Sequence, residues 1–175
     1  MVDPTSSLPP STATDQAHRS GSTARVIDAA RGAGLTIEIR RMPSSTRTAE
    51  EAAHTCNCSP AQIVKSLIFE RLDTHALVLL LIAGDQRADL TSIAGIVGSE
   101  LVRADPKRVR EETGFAIGGV APIGHIRPLP VFMDESLFAH DVVWAAAGTP
   151  NTVFHANPKE LCEAISATVL PACRR

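Results

Sequence analysis

The sequence predicts a single α/β domain whose strands form a mixed sheet. Short apolar runs typical of strands alternate along the chain with capped, helix-like segments, which is the pattern of α/β proteins. The run from Ala76 to Ile82 is apolar throughout, so we expect a strand in the middle of the sheet that is buried on both faces. With 175 residues, the chain is long enough to bury the core of one domain.

Helices are predicted where a capping residue or a proline stands before a suitable segment. Thr48 and Glu51 form a capping box, and the same device recurs from Ser59 to Gln62 with a proline at the first helical position. Glycines that follow the periodic segments mark the helix ends. The predicted helices cover about 24–31, 49–55, 90–97, 106–113 and 158–167.

Strands are predicted where alternating or continuous apolar residues lie between turn-forming residues. Leu35 to Ile39 alternates apolar and polar side chains. Ile63 to Phe69 is predicted to pair with Ala76 to Ile82 through a turn around Asp73. These patterns leave the strand order open. The remaining predicted strands cover 101–103, 131–133, 142–147 and 152–155.

The composition argues against several classes of nucleic-acid-binding protein. The net charge is −2 and only 3% of the residues are aromatic, so the chain has neither a general positive field nor many rings for base stacking. We therefore expect no DNA partner. Two basic stretches, one at Arg40, Arg41 and Arg47 and one over 103–110, are either local phosphate contacts or solvated surfaces.

The four cysteines do not predict a disulfide framework in a chain of this length. Cys56 and Cys58 are separated by a single residue, which is the wrong spacing for a zinc knuckle, and no second pair follows at a suitable distance. We therefore expect reduced thiols in a cytoplasmic protein that holds no metal and no cofactor.

Residues 1–22 are rich in Ser, Thr and Pro and poor in large apolar side chains. We expect them to form a disordered N-terminal tail and residues 23–175 to form the folded domain. The segment lacks the apolar core of a signal peptide, and no run in the chain reaches the roughly 18 apolar residues of a membrane span. We expect no membrane partner.

Lys65 is the first candidate for a functional residue because it interrupts an apolar strand. Alternation places it on the face of Ile63 and Leu67, opposite Val64 and Ser66. Burying an unpaired ammonium is costly, so this lysine must extend into water, find a partner or face a cleft. It is therefore either a lysine at a strand edge or a charge held for an anionic or carbonyl substrate.

The second candidate is the loop from Gly118 to Gly124, within a stretch rich in glycine and proline of the kind that often carries function. Gly118 and Gly119 allow backbone N–H groups to approach a ligand closely, and Pro122 stiffens the exit from the loop. A tight turn between elements is the alternative interpretation.

Conventional catalytic motifs are missing. The sequence has no Gly-x-Ser-x-Gly elbow, no His-Glu-x-x-His and no Walker or dinucleotide fingerprint. The six histidines are scattered, and Asp85 and Asp89 are expected to serve a turn and a helix cap. Ala146 to Thr149 is either a further backbone-lined wall or a strand end.

Six segments nevertheless occur in the order and spacing of a known family: Thr48 to Ala53, Ile63 to Phe69, Gly84-Asp85, Thr113-Gly114, Gly118 to Pro122 and Ala147-Gly148. Together they resemble the YbaK/EbsC family over about residues 24–170. That family contains free-standing aminoacyl-tRNA deacylases of the ProXp type and the editing domain inserted in bacterial prolyl-tRNA synthetases.

The resemblance implies a mixed α/β, barrel-like fold surrounded by short helices, and hydrolysis of the ester between an amino acid and the tRNA 3′ end. Lys65 and Gly118 match the catalytic positions, where the lysine helps to bind the tRNA end. An aminoacyl ester is already activated, so positioning and backbone stabilisation of an oxyanion can replace a protein nucleophile. The positions matching substrate-binding residues are Ser66, Gly119, Val120, Pro122, Ala147 and Gly148.

The resemblance also implies the partners, which are the 3′ end of an aminoacyl-tRNA and prolyl-tRNA synthetase. One methylene in an apolar pocket discriminates by only about 1–3 kcal/mol, so slightly smaller amino acids require a separate editing pocket. Alanine on proline tRNA is the favoured substrate. Cysteine, serine, threonine and 2-aminobutyrate stay open, and Asn151 to Val153 disfavours the cysteine-specific branch.

Two alternatives from other functional classes remain. The first is a non-catalytic module of the same fold that binds an adenosine-like ligand, a tRNA end or another protein. The second is an esterase that acts on a small acylated metabolite and needs no contact with RNA.

Overall fold

The computed structural model describes residues 21–44, 46 and 48–173. The helices are α1 (Gly21–Gly32), α2 (Ala49–Cys56), α3 (Leu90–Val97), α4 (Pro106–Thr113) and α5 (Pro158–Ala164), with short 3₁₀ helices at Pro60–Gln62 and Glu135–Ala139. The strands are β1 (Ile39–Arg41), β2 (Val64–Arg71), β3 (Leu77–Ala83), β4 (Leu101–Arg103), β5 (Val131–Asp134), β6 (Val143–Ala146), β7 (Thr152–Ala156) and β8 (Thr168–Leu170).

The strands form two sheets. The larger has the order β4-β2-β3-β5-β8, with antiparallel pairing on one side of β3 and parallel pairing on the other. The smaller has the antiparallel order β1-β7-β6. A single bridge from Ile63 to Trp144 connects the two sheets. The predicted mixed α/β class is confirmed, and the described strands form two sheets rather than a closed barrel.

The apolar run that predicted a central strand is β3, which has β2 on one side and β5 on the other. All its residues are buried. Leu79 and Leu81 face the main core between the sheets, whereas Leu80 and Ile82 pack with Ile93 of α3 on the opposite face. Burial on both faces explains why this strand carries no polar residue.

The helix starts predicted from the capping residues Thr48, Asp105 and Asn157 are confirmed. Thr48 accepts a hydrogen bond from the backbone N–H of Glu51, and Asp105 accepts two from the first turn of α4. Asn157 does the same for α5. These bonds join residues only two or three positions apart, so the local sequence suffices to place them.

Several boundaries differ from the predictions. The strand expected over 35–39 lies further along the chain: β1 covers Ile39–Arg41, because pairing with β7 begins at Ile39. The last helix ends at Ala164 rather than near Ala167, and the chain then forms β8, which the sequence did not predict. Helix α1 begins at Gly21, so residues 21 and 22 of the expected tail are helical. The rest of that tail, residues 1–20, lies outside the described residues.

No helix in the described part of the chain has both the length and the apolar character needed to cross a membrane.

Asp134 is fully buried at the end of β5 and connects three segments of the chain around the larger sheet. Its carboxylate accepts hydrogen bonds from the backbone N–H groups of Ala83 at 3.4 Å, Ser136 at 3.0 Å and Cys173 at 3.3 Å. The end of β3, the start of a 3₁₀ helix and the chain after β8 are thereby held together.

We expect Asp134→Ala to lower the free energy of unfolding by about 3 kcal/mol, because three backbone N–H groups, one buried and two partly buried, lose a charged acceptor. Urea denaturation measures this change. Asp141→Ala is the matched control, since Asp141 is exposed, and it should change stability by no more than about 0.5 kcal/mol. Equal losses in the two variants would contradict the role assigned to Asp134.

Candidate active site

A cavity of about 330 Å³ opens between the two sheets. Its walls come from the chain between β1 and α2, the first half of β2, the loop at 117–120, and β6 with the turn that leads to β7. The lining includes Met42, Ala52, Ile63, Lys65, Ser66, Ile117, Gly118, Val120, Trp144, Thr149, Thr152 and Val153.

The cavity lies where β2 changes its neighbour. β3 pairs with β2 from Val64 to Glu70, but β4 pairs with β2 only from Phe69 to Arg71. Among the described residues, no strand pairs with this second edge over 64–68, where β2 faces β6 across the cavity. Unpaired peptide groups of a strand edge are ready partners for a bound molecule.

The inner wall is one face of the smaller sheet. Trp144 and Ala146 on β6 and Val153 on β7 face the cavity, while Phe154 alternates to the main core. Ala52 of α2 packs opposite, in a small apolar cluster with Trp144 and Val153. This wall suits a small uncharged side chain, because a charged group placed against it would lose its hydration without compensation.

Lys65 lines the cavity in a half-buried position, and the predicted alternation of β2 is confirmed, since Val64 packs in the main core while Leu67 packs in the second cluster. Its Nζ donates a hydrogen bond to the backbone carbonyl of Gln86 in the loop after β3. One bond leaves two of the three ammonium donors for other partners. Lys65 is therefore a charge held beside the cavity.

Burial lowers the pKa of Lys65 below its ordinary value, because a partly buried site disfavours the charged form. The carboxylates of Asp85 and Glu50 act in the opposite direction, and Arg87 acts with burial. The electrostatic surroundings of the ammonium thus include groups of both signs from two sides, the loop after β3 and helix α2.

Ser66 contributes a hydroxyl to the wall. Its Oγ is buried and has no hydrogen-bond partner among the described residues. A buried hydroxyl without a partner costs about 1–3 kcal/mol, so a hydrogen bond from this hydroxyl to a ligand or a water is favourable.

Gly118 and Gly119 perform different tasks in the loop wall. Gly118 has a φ of 91°, which glycine adopts without strain, and a Cβ there would meet nothing within 4 Å. At Gly119, by contrast, a Cβ would lie 2.8 Å from the backbone carbon of Thr149. Gly119 therefore lets the loop pack against the turn after β6, with Val120 and Thr149 both lining the cavity.

Four of the predicted binding residues support the walls without lining the cavity: Gly119, Pro122, Ala147 and Gly148. Pro122 is buried, and the N–H of Ala147 donates to the carbonyl of Thr152 at 2.8 Å. Gly148 has a φ of 97°, and a Cβ there would lie 2.9 Å from the backbone of Ser22. Their substrate-binding roles stay predictions, and their packing gives each a place in the scaffold.

His125 supports the far end of the loop. Its Nε2 bonds to the carbonyl of Ala121 at 2.8 Å, and its ring packs edge-on against Phe115 with centroids 5.7 Å apart. Burial lowers the pKa of His125 to about 4, the bond to Ala121 opposes this shift, and Arg25 adds to it. The ring is neutral near pH 7, so Nε2 must carry the proton that the carbonyl accepts.

The depressed pKa of His125 predicts that the protein loses stability as the pH falls from 6.5 towards 4. The unfolded chain takes up a proton in this range that the folded chain does not, and the loss reaches about 3 kcal/mol at the lower end. His125→Gln keeps an N–H donor without titrating, so its free energy of unfolding should depend less on pH. Urea denaturation at a series of pH values measures the slopes.

The control for this experiment is His54→Gln, which changes an exposed histidine on α2. It should retain the slope of the unmodified protein. A slope that is unchanged in His125→Gln, or reduced equally in both variants, would contradict the assignment to His125.

Trp144 and Met42 are among the lining residues that were not recognised from the sequence. Trp144, the single tryptophan of the chain, lies on the cavity wall beneath the guanidinium of Arg40 at 4.8 Å and beside His155 at 5.0 Å. Its rarity is the one signal that pointed to it. Met42 lies in an irregular segment without a motif, and only tertiary packing brings it to the wall.

The basic stretches are partly explained by internal contacts. Arg108 forms ion pairs with Glu70 at 2.9 Å and Glu112 at 2.6 Å, so its charge is used within the protein. Arg40 stacks on Trp144 at the cavity, and Arg47 lies outside the described residues. Within the described part of the chain, no three His, Cys, Asp or Glu side chains are grouped so as to hold a metal.

The fold is that of an α/β protein with two sheets and a small cleft between them, walled by apolar side chains, peptide groups and one lysine. A family model for the aminoacyl-tRNA editing domain matches residues 43–164. The chain belongs to this family of aminoacyl-tRNA editing domains, which confirms the resemblance noted in the sequence.

Individual relatives agree with this assignment. Protein YwhH of Bacillus subtilis strain 168 is 34% identical over 126 residues, which cover 72% of this chain and 80% of that protein. A proline–tRNA ligase of Bacillus licheniformis is 30% identical over 128 residues, but these are only 22% of the ligase and 70% of this chain. The chain therefore corresponds to about a fifth of the ligase.

A solved structure has the same fold. The crystal structure of "a putative trans-editing enzyme for prolyl tRNA synthetase" matches with a TM-score of 0.83 and 43% identity, covering 90% of this chain and 99% of that one. The fold, the cleft and the relatives together support an editing function.

Proposed function

We propose that this protein hydrolyses the ester that joins a small, wrongly attached amino acid to the 3′ end of a tRNA, with alanine on proline tRNA as the favoured substrate. One observation carries the proposal. In a member of the editing family, a small apolar cavity is lined by both Lys65 and Gly118. The cavity receives the aminoacyl group, and the lysine meets the RNA.

The apolar wall supports a small aliphatic side chain as the group that is removed. Trp144, Val153 and Met42 are buried and hold little freedom to move aside for a larger amino acid. Because one methylene is worth only about 1–3 kcal/mol in such a pocket, a second and smaller site is the physical solution for an error that a synthetase accepts.

The lining supports a reaction that uses no protein nucleophile–base pair. None of the residues that line the cavity is a histidine, cysteine, aspartate or glutamate. Water then attacks the ester carbonyl, the C–O bond to the ribose breaks, and the ribose oxygen takes up a proton. A neighbouring ribose hydroxyl of the substrate is placed to relay that proton.

Backbone groups supply the stabilisation in this proposal. The main chain at Gly118 lines the cavity, and without a Cβ it is open to a close approach of the ester, so we assign the oxyanion contact to this part of the backbone. A single donor aimed at the developing oxyanion contributes roughly 3 kcal/mol. The edge of β2 over 64–68 provides further peptide groups on the opposite side.

Lys65 acts in this proposal as the anchor for the phosphate next to the terminal nucleoside. Its bond to Gln86 fixes the side chain, and the remaining ammonium donors meet an anionic oxygen. The hydroxyl of Ser66, which is buried without a partner, binds the aminoacyl group or the attacking water. Prolyl-tRNA synthetase is the proposed partner that supplies the mischarged tRNA, in the cytoplasm.

The first test is hydrolysis of proline tRNA charged with alanine, cysteine, serine, threonine or 2-aminobutyrate. We expect alanine to be released fastest. The loss of each aminoacyl ester is compared with its loss in buffer alone. Release of all five at the rate of buffer would refute the proposal. Binding of the charged tRNA without hydrolysis would instead support a non-catalytic module, and cleavage of small acyl esters alone would support a metabolite esterase.

The second test is Lys65→Ala, which removes the phosphate anchor. We expect kcat/KM for proline tRNA charged with alanine to fall by about 10²-fold, consistent with loss of a charged contact worth about 3 kcal/mol. Lys159→Ala is the matched control, because this lysine is exposed on α5 outside both basic stretches, and it should retain the full rate. A Lys65→Ala protein with unreduced kcat/KM would show that the lysine does not contact the substrate.

A further inference from the structure

Helix α1 lies outside the segment that matches the family model, which begins at residue 43, yet it contacts both the loop wall and the turn after β6. Three of its residues, Thr23, Val26 and Ala30, are buried. The helix is therefore part of the folded domain and lies behind the cavity walls.

Arg25 makes the principal contacts of α1 with the loop. Its Nη2 donates to the carbonyl of Gly114 at 2.7 Å, and its Nε donates to the carbonyl of Gly124 at 3.4 Å. The guanidinium also stacks on Phe115, 5.1 Å from the ring centroid. One half-buried side chain thus joins the two ends of a loop whose middle, at Gly118 and beyond, lines the cavity.

The backbone of α1 touches the same two walls. A Cβ at Gly124 would lie 3.1 Å from the backbone of Arg25 and Val26, so this glycine is required for the loop to lie against the helix. A Cβ at Gly148 would lie 2.9 Å from the backbone of Ser22. Gly148 precedes Thr149, which packs against Gly119 of the loop.

Helix α1 is therefore a common base for two adjoining walls of the cavity. The loop reaches it through Arg25, and the turn after β6 reaches it through Gly148. The loop and the turn also contact each other at Gly119 and Thr149, so a shift of the loop ends is transmitted to both walls.

We propose that Arg25 is a positioning residue for ester hydrolysis: by joining Gly114 to Gly124 it holds the backbone donors near Gly118 where the developing oxyanion needs them. This inference rests on the proposed function. Arg25 touches neither the substrate nor the reacting atoms and acts only through the loop. A misplacement of about 1 Å in such a constellation reduces the rate by about 10²-fold.

Arg25→Met tests the inference, since methionine keeps an apolar contact with Phe115 but donates no hydrogen bond. With proline tRNA charged with alanine as the substrate, we expect kcat to fall by at least about tenfold while KM changes by less than about twofold. The position of the loop backbone matters for the transition state rather than for substrate binding. Arg25→Lys retains one donor for Gly114 and should recover part of kcat.

Arg31→Met is the matched control on the same helix. The side chain of Arg31 is 75% exposed and, within the described part of the chain, forms an ion pair at 3.7 Å with Asp28 and no other, so this variant should keep the original kcat and KM. Thermal unfolding of all variants identifies any loss that merely reflects a smaller folded fraction. An unchanged kcat in folded Arg25→Met, or an equal loss in Arg31→Met, overturns the inference.

Hydrogen exchange separates this inference from the proposed function. Backbone amides over 116–123 should exchange faster in Arg25→Met than in Arg31→Met, whether or not the protein hydrolyses any charged tRNA. If the unmodified protein shows no deacylation but the exchange differs in this way, the proposed function fails, whereas the role of Arg25 in holding the loop stands. Equal exchange in the two variants overturns that role as well.

Discussion

The cleft of this protein depends on how β2 shares its two edges. One edge pairs with β3 along nearly the whole strand, and this pairing holds β2 beside the central strand of the larger sheet. The other edge is covered by β4 only at its far end, and at Ile63 it meets Trp144 of the smaller sheet. The two sheets pack together through the main core, and the space beside the uncovered edge of β2 is the cavity.

The chemistry that such a cavity can perform follows from its walls. In the proposed function, peptide groups and apolar side chains hold a neutral substrate group in place, and Lys65 adds one positive charge beside it. These means suit a reaction whose substrate is already activated, since position and dipoles then suffice. Membership in the aminoacyl-tRNA editing domain family agrees with this, because an aminoacyl ester is a substrate of that kind.

Two polar side chains away from the cavity hold its frame. Asp134 accepts hydrogen bonds from three backbone N–H groups, and Arg25 donates to two backbone carbonyls. In both cases a charged group satisfies peptide atoms that regular secondary structure leaves unpaired, and bonds to charged groups are stronger than neutral ones. The positions of the segments around the cleft thus depend partly on residues that do not line it.

The sequence by itself determined the elements whose stabilising contacts are local. Helix caps such as Thr48 and Asp105 form hydrogen bonds within three residues, and the continuous apolar sequence of β3 predicts a strand that is buried on both faces. Motif order also indicated Lys65 and Gly118 as members of one site. Only the tertiary structure decided where β8 forms, that Trp144 belongs to the wall, and that Gly148 rests on α1. Strand pairing and cavity walls join residues far apart in the chain, and no local pattern records which of them meet.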